Sequence, residues 1–325
     1  MSTGADRADA EGHGDAERPA AGAALPERCS ARSIAYAEPM FGTASTVRSW
    51  LLIEDPGPWG TSALLDSRLP DGMGRRLTRI SRELGIRVLL IRRHGRSDPR
   101  GREVIAAHSG PGTVWVERGR LDSVGDVFDL DLAALARSEP VGLEHIIDEP
   151  VYLVCSHGRR DMCCAEKGRP VAAALTAVRP DQSWECSHIG GDRFAANLVC
   201  LPHGLYFGRV GHDDAASIAD GYANGSIDLD HYRGRSCYDF AVQAAEWFLR
   251  RDRGMRGIDD LRLMDHAHAA EGQTHTRFTG PSDLSYVVRV RTVLSPEPRR
   301  LTCRSQREER PPDFELLEIS MYSTT

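Results

Sequence analysis

The chain has 325 residues, 41% hydrophobic and 27% charged, so it can bury a sizeable core and is not disordered throughout. A formal net charge of −6 argues against a general nucleic-acid binder. No apolar run reaches the roughly 18 residues that would span a membrane.

Positions 1–34 read as a disordered tail: they are rich in Ala, Gly and acids, and offer too little apolar surface to offset ordering entropy. They also lack the basic-then-apolar pattern of a leader, which places the chain in the cytoplasm. Val47–Ile53 is an apolar run that predicts a buried strand, ended by Pro56-Gly57-Pro58. Leu77, Ile80 and Leu84 form one helical stripe closed by Gly85. Strands follow at Ile86–Ile91, Val104–Ala106 and Thr113–Glu117, then a short helix at Leu132–Ala136.

The second half repeats this order. Val151–Val154 predicts a strand leading into a polar loop, and Pro170 suits the first turn of a helix to Val178. Ser183–His188 is the next strand, Leu198–Leu201 and Leu205–Val210 form a hairpin around Pro202-His203-Gly204, and Asp213-Asp214 caps a helix to Tyr222. The repeat predicts two similarly built α/β layers, over 35–148 and 149–254. Within the second, Ser236 and Asp239 suggest a capping box for a helix to Arg250, with Phe240, Ala244 and Phe248 as its buried stripe. The remainder, 255–325, reads as a strand-rich extension with strands at Tyr286–Val293, Leu301–Cys303 and Phe314–Ile319.

Eight cysteines are too few for a small secreted disulfide scaffold, and five of them (Cys155, Cys163, Cys164, Cys186 and Cys200) crowd into one stretch. Cys155 leaves a buried strand for a loop that holds Cys163 and Cys164. Trp184, Cys186 and His188 alternate along the next strand and share a face. Gly190-Gly191 then turns the backbone sharply before Asp192. Neighbouring strands bring these thiols and imidazoles to one point. Such ligands suit zinc or an iron–sulfur cluster, and the Cys-x8-Cys spacing from Cys155 to Cys164, without a tight zinc knuckle, favours the cluster. Cys200, Cys29, Cys237 and Cys303 read as core or bystander thiols, and His157 and His203 as surface loop residues.

These segments resemble the sucrase/ferredoxin-like family, through Cys155-Ser-His-Gly with Cys164, Ser187-His188-Ile-Gly-Gly, and Arg193-Phe194-Ala195-Ala196-Asn197. The resemblance runs from Trp50 and Pro56-Gly57-Pro58-Trp59-Gly60 to Gly208-Arg209-Val210. It implies two thioredoxin-like α/β layers in tandem, the second carrying a [2Fe–2S] cluster bound by Cys155, Cys164 and His188. The family's second histidine, in His-x-Gly-Gly-His, is Asp192 in this chain, so the fourth ligand is open. The order of preference is Cys186, which shares the face of His188, then Asp192, then Cys163.

The expected role is that of a one-electron carrier rather than a catalyst with its own substrate. Arg159, Arg160, Arg169 and Arg193 would meet an acidic redox partner protein, with no nucleic acid or membrane involved. Gly190 and Gly191 N–H groups would bond cluster sulfur, and Trp184 and Phe194 would cover it. Two alternatives stand beside this reading. A thiol–disulfide oxidoreductase on the same scaffold lacks its Cys-x-x-Cys motif, and a zinc-stabilised binding module would hold zinc in place of the cluster. The first layer, with Glu54-Asp55-Pro56 where the second has Cys155, is expected to carry no cluster.

Overall fold

Where the apolar runs alternate with turn signals, the chain folds as expected. The structure, a computed structural model, describes residues 28–95 and 102–323. Its first strands and helices are α1 (Cys29–Ala35), β1 (Ser49–Glu54), α2 (Ala63–Asp66), α3 (Met73–Leu84), β2 (Arg87–Arg92), β3 (Arg102–Ser109), β4 (Val114–Leu121), α4 (Leu132–Ala136) and β5 (His145–Ile147). The second half contributes β6 (Val151–Cys155), α5 (Met162–Val178), β7 (Ser183–Cys186), β8 (Leu198–Leu201), β9 (Leu205–Phe207), α6 (Asp214–Ala223), β10 (Tyr232–Arg235) and α7 (Phe240–Arg253). Four strands close the chain: β11 (Arg262–His268), β12 (Gln273–Thr279), β13 (Leu284–Leu294) and β14 (Pro312–Ser323).

The two halves join in one ten-stranded sheet, ordered β10-β9-β8-β6-β7-β2-β1-β3-β4-β5. In each half the opening βαβ unit is parallel, β1 with β2 and β6 with β7, and its first strand pairs antiparallel with the next one, β3 or β8. The joint is the antiparallel pair β2–β7, with Ile91 opposite Cys186 and Arg92 opposite Glu185. The expected two layers are therefore side-by-side parts of a single mixed α/β sheet. β11–β14 form a second, four-stranded sheet.

Both faces of the central strands are buried, which is why they read as continuous apolar runs rather than alternating ones. Trp50, Leu52, Leu89, Ile91, Leu153, Cys155, Trp184 and Cys186 line one face, continuous across the joint. On the opposite face Leu51, Ile53 and Leu90 pack with Leu77 of α3 and Leu135 of α4, while Tyr152, Val154 and Leu198 pack with Val171 of α5 and Ile218 of α6. Fully burying one such aliphatic side chain is worth about 1.5–3 kcal/mol.

Several expected boundaries are corrected. Of the tail expected over 1–34, positions 29–34 belong instead to α1, where Cys29, Ser30 and Ser33 are buried; positions 1–27 lie outside the described residues. α5 starts at Met162 rather than Pro170, because Asp161 caps it by accepting the Cys163 N–H at 2.9 Å, and Pro170 sits inside the helix. Strand β7 stops at Cys186, so His188 lies beyond it. The helix expected to open on a Ser236 capping box is α7, capped by Asp239, whose side chain accepts from the Val242 N–H. Its buried residues include Val242, Ala244, Ala245 and Leu249, whereas Phe240 is exposed. Leu301–Cys303 is a turn, not a strand. Strands β10, β11 and β12 escaped the sequence reading because they are short of β-branched apolar residues.

One loop sets a pH dependence. At the β8–β9 hairpin, His203 Nδ1 lies 2.7 Å from the Tyr222 hydroxyl, which also accepts the His203 backbone N–H. Burial, and then Arg235, hold the His203 imidazole down to about 4. The unfolded chain takes up this proton near pH 6.5 and the native state does not, so the contribution is whole above pH 6.5 and is lost as pH falls toward 4. Urea denaturation at pH 7 and pH 4.5 should show wild type losing about 2 kcal/mol more than His203→Gln. Equal losses in both proteins would contradict the assignment.

Candidate metal centre

The strand order places the end of β6, the start of α5 and the loop after β7 together. Cys155 is the last residue of β6 and pairs with Cys186 of β7. α5 packs close against this strand end: a Cβ on Gly168 would stand 2.1 Å from the Cys155 carbonyl oxygen, so only glycine lets the helix lie there. This docking delivers Cys164 to Cys155. Because successive helical residues are turned by about 100°, Cys163 faces elsewhere.

Beyond β7 the backbone is held by a net of hydrogen bonds. Ser187 N–H donates to Leu90 O, Ser45 Oγ donates to Ile189 O at 2.8 Å, and Asn197 Nδ2 donates to Gly191 O at 2.8 Å. Arg233, buried to 1% exposure, donates to Asn197 Oδ1 at 2.7 Å and to Gly190 O at 3.3 Å. Gly190 and Gly191 have φ of +92° and +78°, and a Cβ on Gly191 would meet the Arg233 guanidinium at 2.4 Å. The loop thus turns as its two glycines suggested, and returns His188 and Asp192 to the strand ends.

The result is a group of two thiols and one imidazole: ligand atoms of Cys155, Cys164 and His188 all lie within 4.8 Å of one another. Asp192 adds a carboxylate, with Oδ1 3.2 Å from Cys164 Sγ and 3.0 Å from His188 Nδ1. The His188 Nδ1 is buried without an aligned hydrogen bond, although the side chain as a whole keeps 23% exposure. Cys186 is fully buried beside Cys155 but stands outside the group, packed with Trp184 and Ile91. Cys163 is turned away from it toward Cys29 and Cys303.

The electrostatics favour a thiolate at this point. Hydrogen bonding from Cys164, and from His188 after it, pulls the Cys155 thiol well below its ordinary range against the cost of burial, with help from the His157 backbone N–H. The pairing with Cys155 in turn drives Cys164 up, so the two thiols share one proton between them. Burial opposes charge on His188, but Asp192 and then Cys155 outweigh it and raise the imidazole to about 9. Burial likewise opposes the Asp192 carboxylate, which His188 nevertheless holds below its usual range.

The other residues singled out in the sequence have contacts of their own. Trp184 is buried against the Arg93 guanidinium, 3.4 Å from its ring centroid, and Phe194 is buried with Arg193 4.4 Å away. Arg193 pairs with Glu38 at 2.7 Å, so of the four arginines expected to face a partner it is committed internally. The His157 backbone N–H is among the groups that favour charge on the Cys155 sulfur. His157 itself, expected at the surface, is 3% exposed, with Nε2 2.9 Å from Gly60 O. Asp161, Arg233 and Ser45 were not legible as site residues, since capping and loop-holding by distant residues leave no local pattern. A separate group, Asp239 with His266 and His268, lies near the surface between α7 and β11.

Fold and site together define an α/β protein with a buried Cys/His grouping able to hold a metal ion where β6, α5 and the β7 loop meet. A model of the sucrase/ferredoxin-like family matches residues 40–234, and the chain belongs to that family. Relatives include "Altered inheritance of mitochondria protein 32" of Meyerozyma guilliermondii, 29% identical over 102 residues, covering 28% of this chain and 36% of that one. The protein of the same name from Saccharomyces cerevisiae strain S288c is 31% identical over 96 residues, covering 25% of this chain and 31% of its own. The chain thus spans about a third of the length of these curated relatives. No solved structure matches. Among the described residues no helix is long and apolar enough to cross a membrane.

Proposed function

We propose that this protein carries single electrons on a [2Fe–2S] cluster held by Cys155, Cys164 and His188, with Asp192 in the fourth place. The observation that supports it most is the donor set itself: two buried sulfurs and an imidazole whose buried Nδ1 has no aligned hydrogen bond. Sulfur and imidazole suit an iron–sulfide core. Asp192 replaces the family's second histidine and reaches both Cys164 and His188. The side-by-side βαβ halves support, in the same sense, a tandem thioredoxin-like reading of the fold.

A cluster bound here supplies reversible one-electron chemistry, at a potential less negative than with four thiolates because imidazole is neutral. The chain's own residues do the rest. The His157 backbone N–H helps to stabilise negative charge on the Cys155 sulfur. His188 leaves an edge of the site open to solvent, through which a partner protein exchanges the electron. Arg159 and Arg169, exposed beside the site with Met162, suit an acidic partner face. Eight free thiols suit a reducing compartment such as the cytoplasm.

Anaerobic purification followed by iron, acid-labile sulfide, visible absorption and EPR analysis tests the proposal. Iron and sulfide in equal amounts, with an EPR signal that appears only on reduction, is the expected result. Protein without stoichiometric iron and sulfide, or metal-free protein that rapidly reduces a test disulfide, would overturn it.

A further inference from the structure

Three of the remaining cysteines come together in a second group. Cys29 of α1, Cys163 of α5 and Cys303 of the turn before β14 form a triangle whose Sγ–Sγ edges are 3.6, 3.4 and 3.5 Å. Asp161 stands over it, with both carboxylate oxygens 3.8 Å from Cys29 Sγ. Cys29, Cys163 and Asp161 are buried. We propose that these four residues form a second, structural metal site that binds one zinc ion.

The geometry carries the argument. Zn–S bonds of about 2.3 Å in a tetrahedron require sulfurs about 3.8 Å apart, close to all three edges observed. A disulfide would instead draw one pair to about 2.05 Å and leave the third thiol over. The sulfurs also receive donors suited to thiolates: Ser30 Oγ lies 3.3 Å from Cys163 Sγ, and Cys29 N–H donates to Cys303 Sγ at 3.4 Å. Asp161 is positioned by accepting the Cys163 N–H on Oδ1 and the Cys303 N–H on Oδ2, at 2.9 and 2.8 Å, leaving lone pairs for an ion. Three thiolates and a carboxylate make a closed set of four, the pattern of structural zinc rather than of a catalytic site with an open position.

The site would fasten α1 and the turn before β14 to the first turn of α5. Cys163 and Cys164 are adjacent, so the zinc would also fix the helix end that presents Cys164 to the proposed cluster.

Full-length protein purified without chelator should contain one zinc per chain by elemental mass spectrometry. Zinc should fall at least tenfold in Cys303→Ser and in Cys29→Ser while iron persists, and should stay in Cys155→Ser, from which iron is lost. Wild-type protein refilled with cobalt(II) should show intense thiolate-to-cobalt charge transfer, a readout that needs no variant to fold. The proposal is overturned by zinc that survives in Cys303→Ser, by cobalt without charge transfer, or by alkylation and intact mass revealing a disulfide among the three cysteines. Failure to find iron leaves the zinc result intact, so the two proposals fail separately.

Discussion

Cys155→Ser and Cys164→Ser, purified anaerobically, should each retain less than about a tenth of the wild-type iron and lose the visible spectrum. A serine oxygen is a hard, poorly ionised ligand in place of a soft thiolate. The cost is steep because both positions are buried at the meeting of β6 and α5, while Cys186 stands outside the group and Cys163 faces Cys29 and Cys303. The contest for the fourth place is decided in the same series. Asp192→Ala should weaken iron retention about tenfold or more, and Asp192→His should keep the iron but shift the spectrum. Cys186→Ala should leave iron and spectrum as in wild type, costing only stability. A spectrum unchanged in Cys155→Ser would remove the proposed centre altogether. Iron lost from Cys186→Ala but kept in Asp192→Ala would return the fourth place to Cys186.

The second large effect lies away from the centre. Glu246→Gln is expected to destabilise the fold by about 3–5 kcal/mol, since it leaves a buried guanidinium without its counter-charge. Glu246 and Arg250 of α7 are both fully buried and pair at 3.0 Å, with Arg235 of β10 3.9 Å from the same carboxylate. The Tyr232 hydroxyl donates to Glu246 at 3.0 Å, while Arg250 and Arg235 also donate to the carbonyls of Gly257 and Ile258. One carboxylate therefore ties the edge of the large sheet, α7 and the connection to the second sheet. Urea denaturation followed by circular dichroism measures the loss. A change below about 1 kcal/mol would mean that the carbonyls alone suffice for the two arginines.

Much of this arrangement was legible in the residues. The runs around Trp50, Leu89 and Leu153 announced buried strands, and Gly85 marked a helix end, which its φ of +66° confirms. Cys155, Cys164 and His188 stood out because thiols and imidazole in polar, glycine-containing segments have no packing reason to be there. Cys163 was harder to place: with the helix thought to start at Pro170, it looked like part of a loop. The signal that corrects this is Asp161, a capping residue ahead of Met162. Cys29 and Cys303 were illegible because no spacing rule connects residues 274 positions apart.

What the sequence determined by itself was the βαβ repeat, the thiol-rich stretch that carries the Cys/His group, and the glycine pair that turns the chain ahead of Asp192. All three are local: periodicity, residue type and short spacing fix them. Tertiary structure alone decided that the two halves share one sheet through β2 and β7, that Cys186 stands outside the Cys155/Cys164/His188 group, and that Cys163 joins Cys29 and Cys303 in a second one. The physical reason is the helix. On α5, two adjacent thiols point about 100° apart, and which partners each one meets depends on chain ends that only the folded molecule brings together.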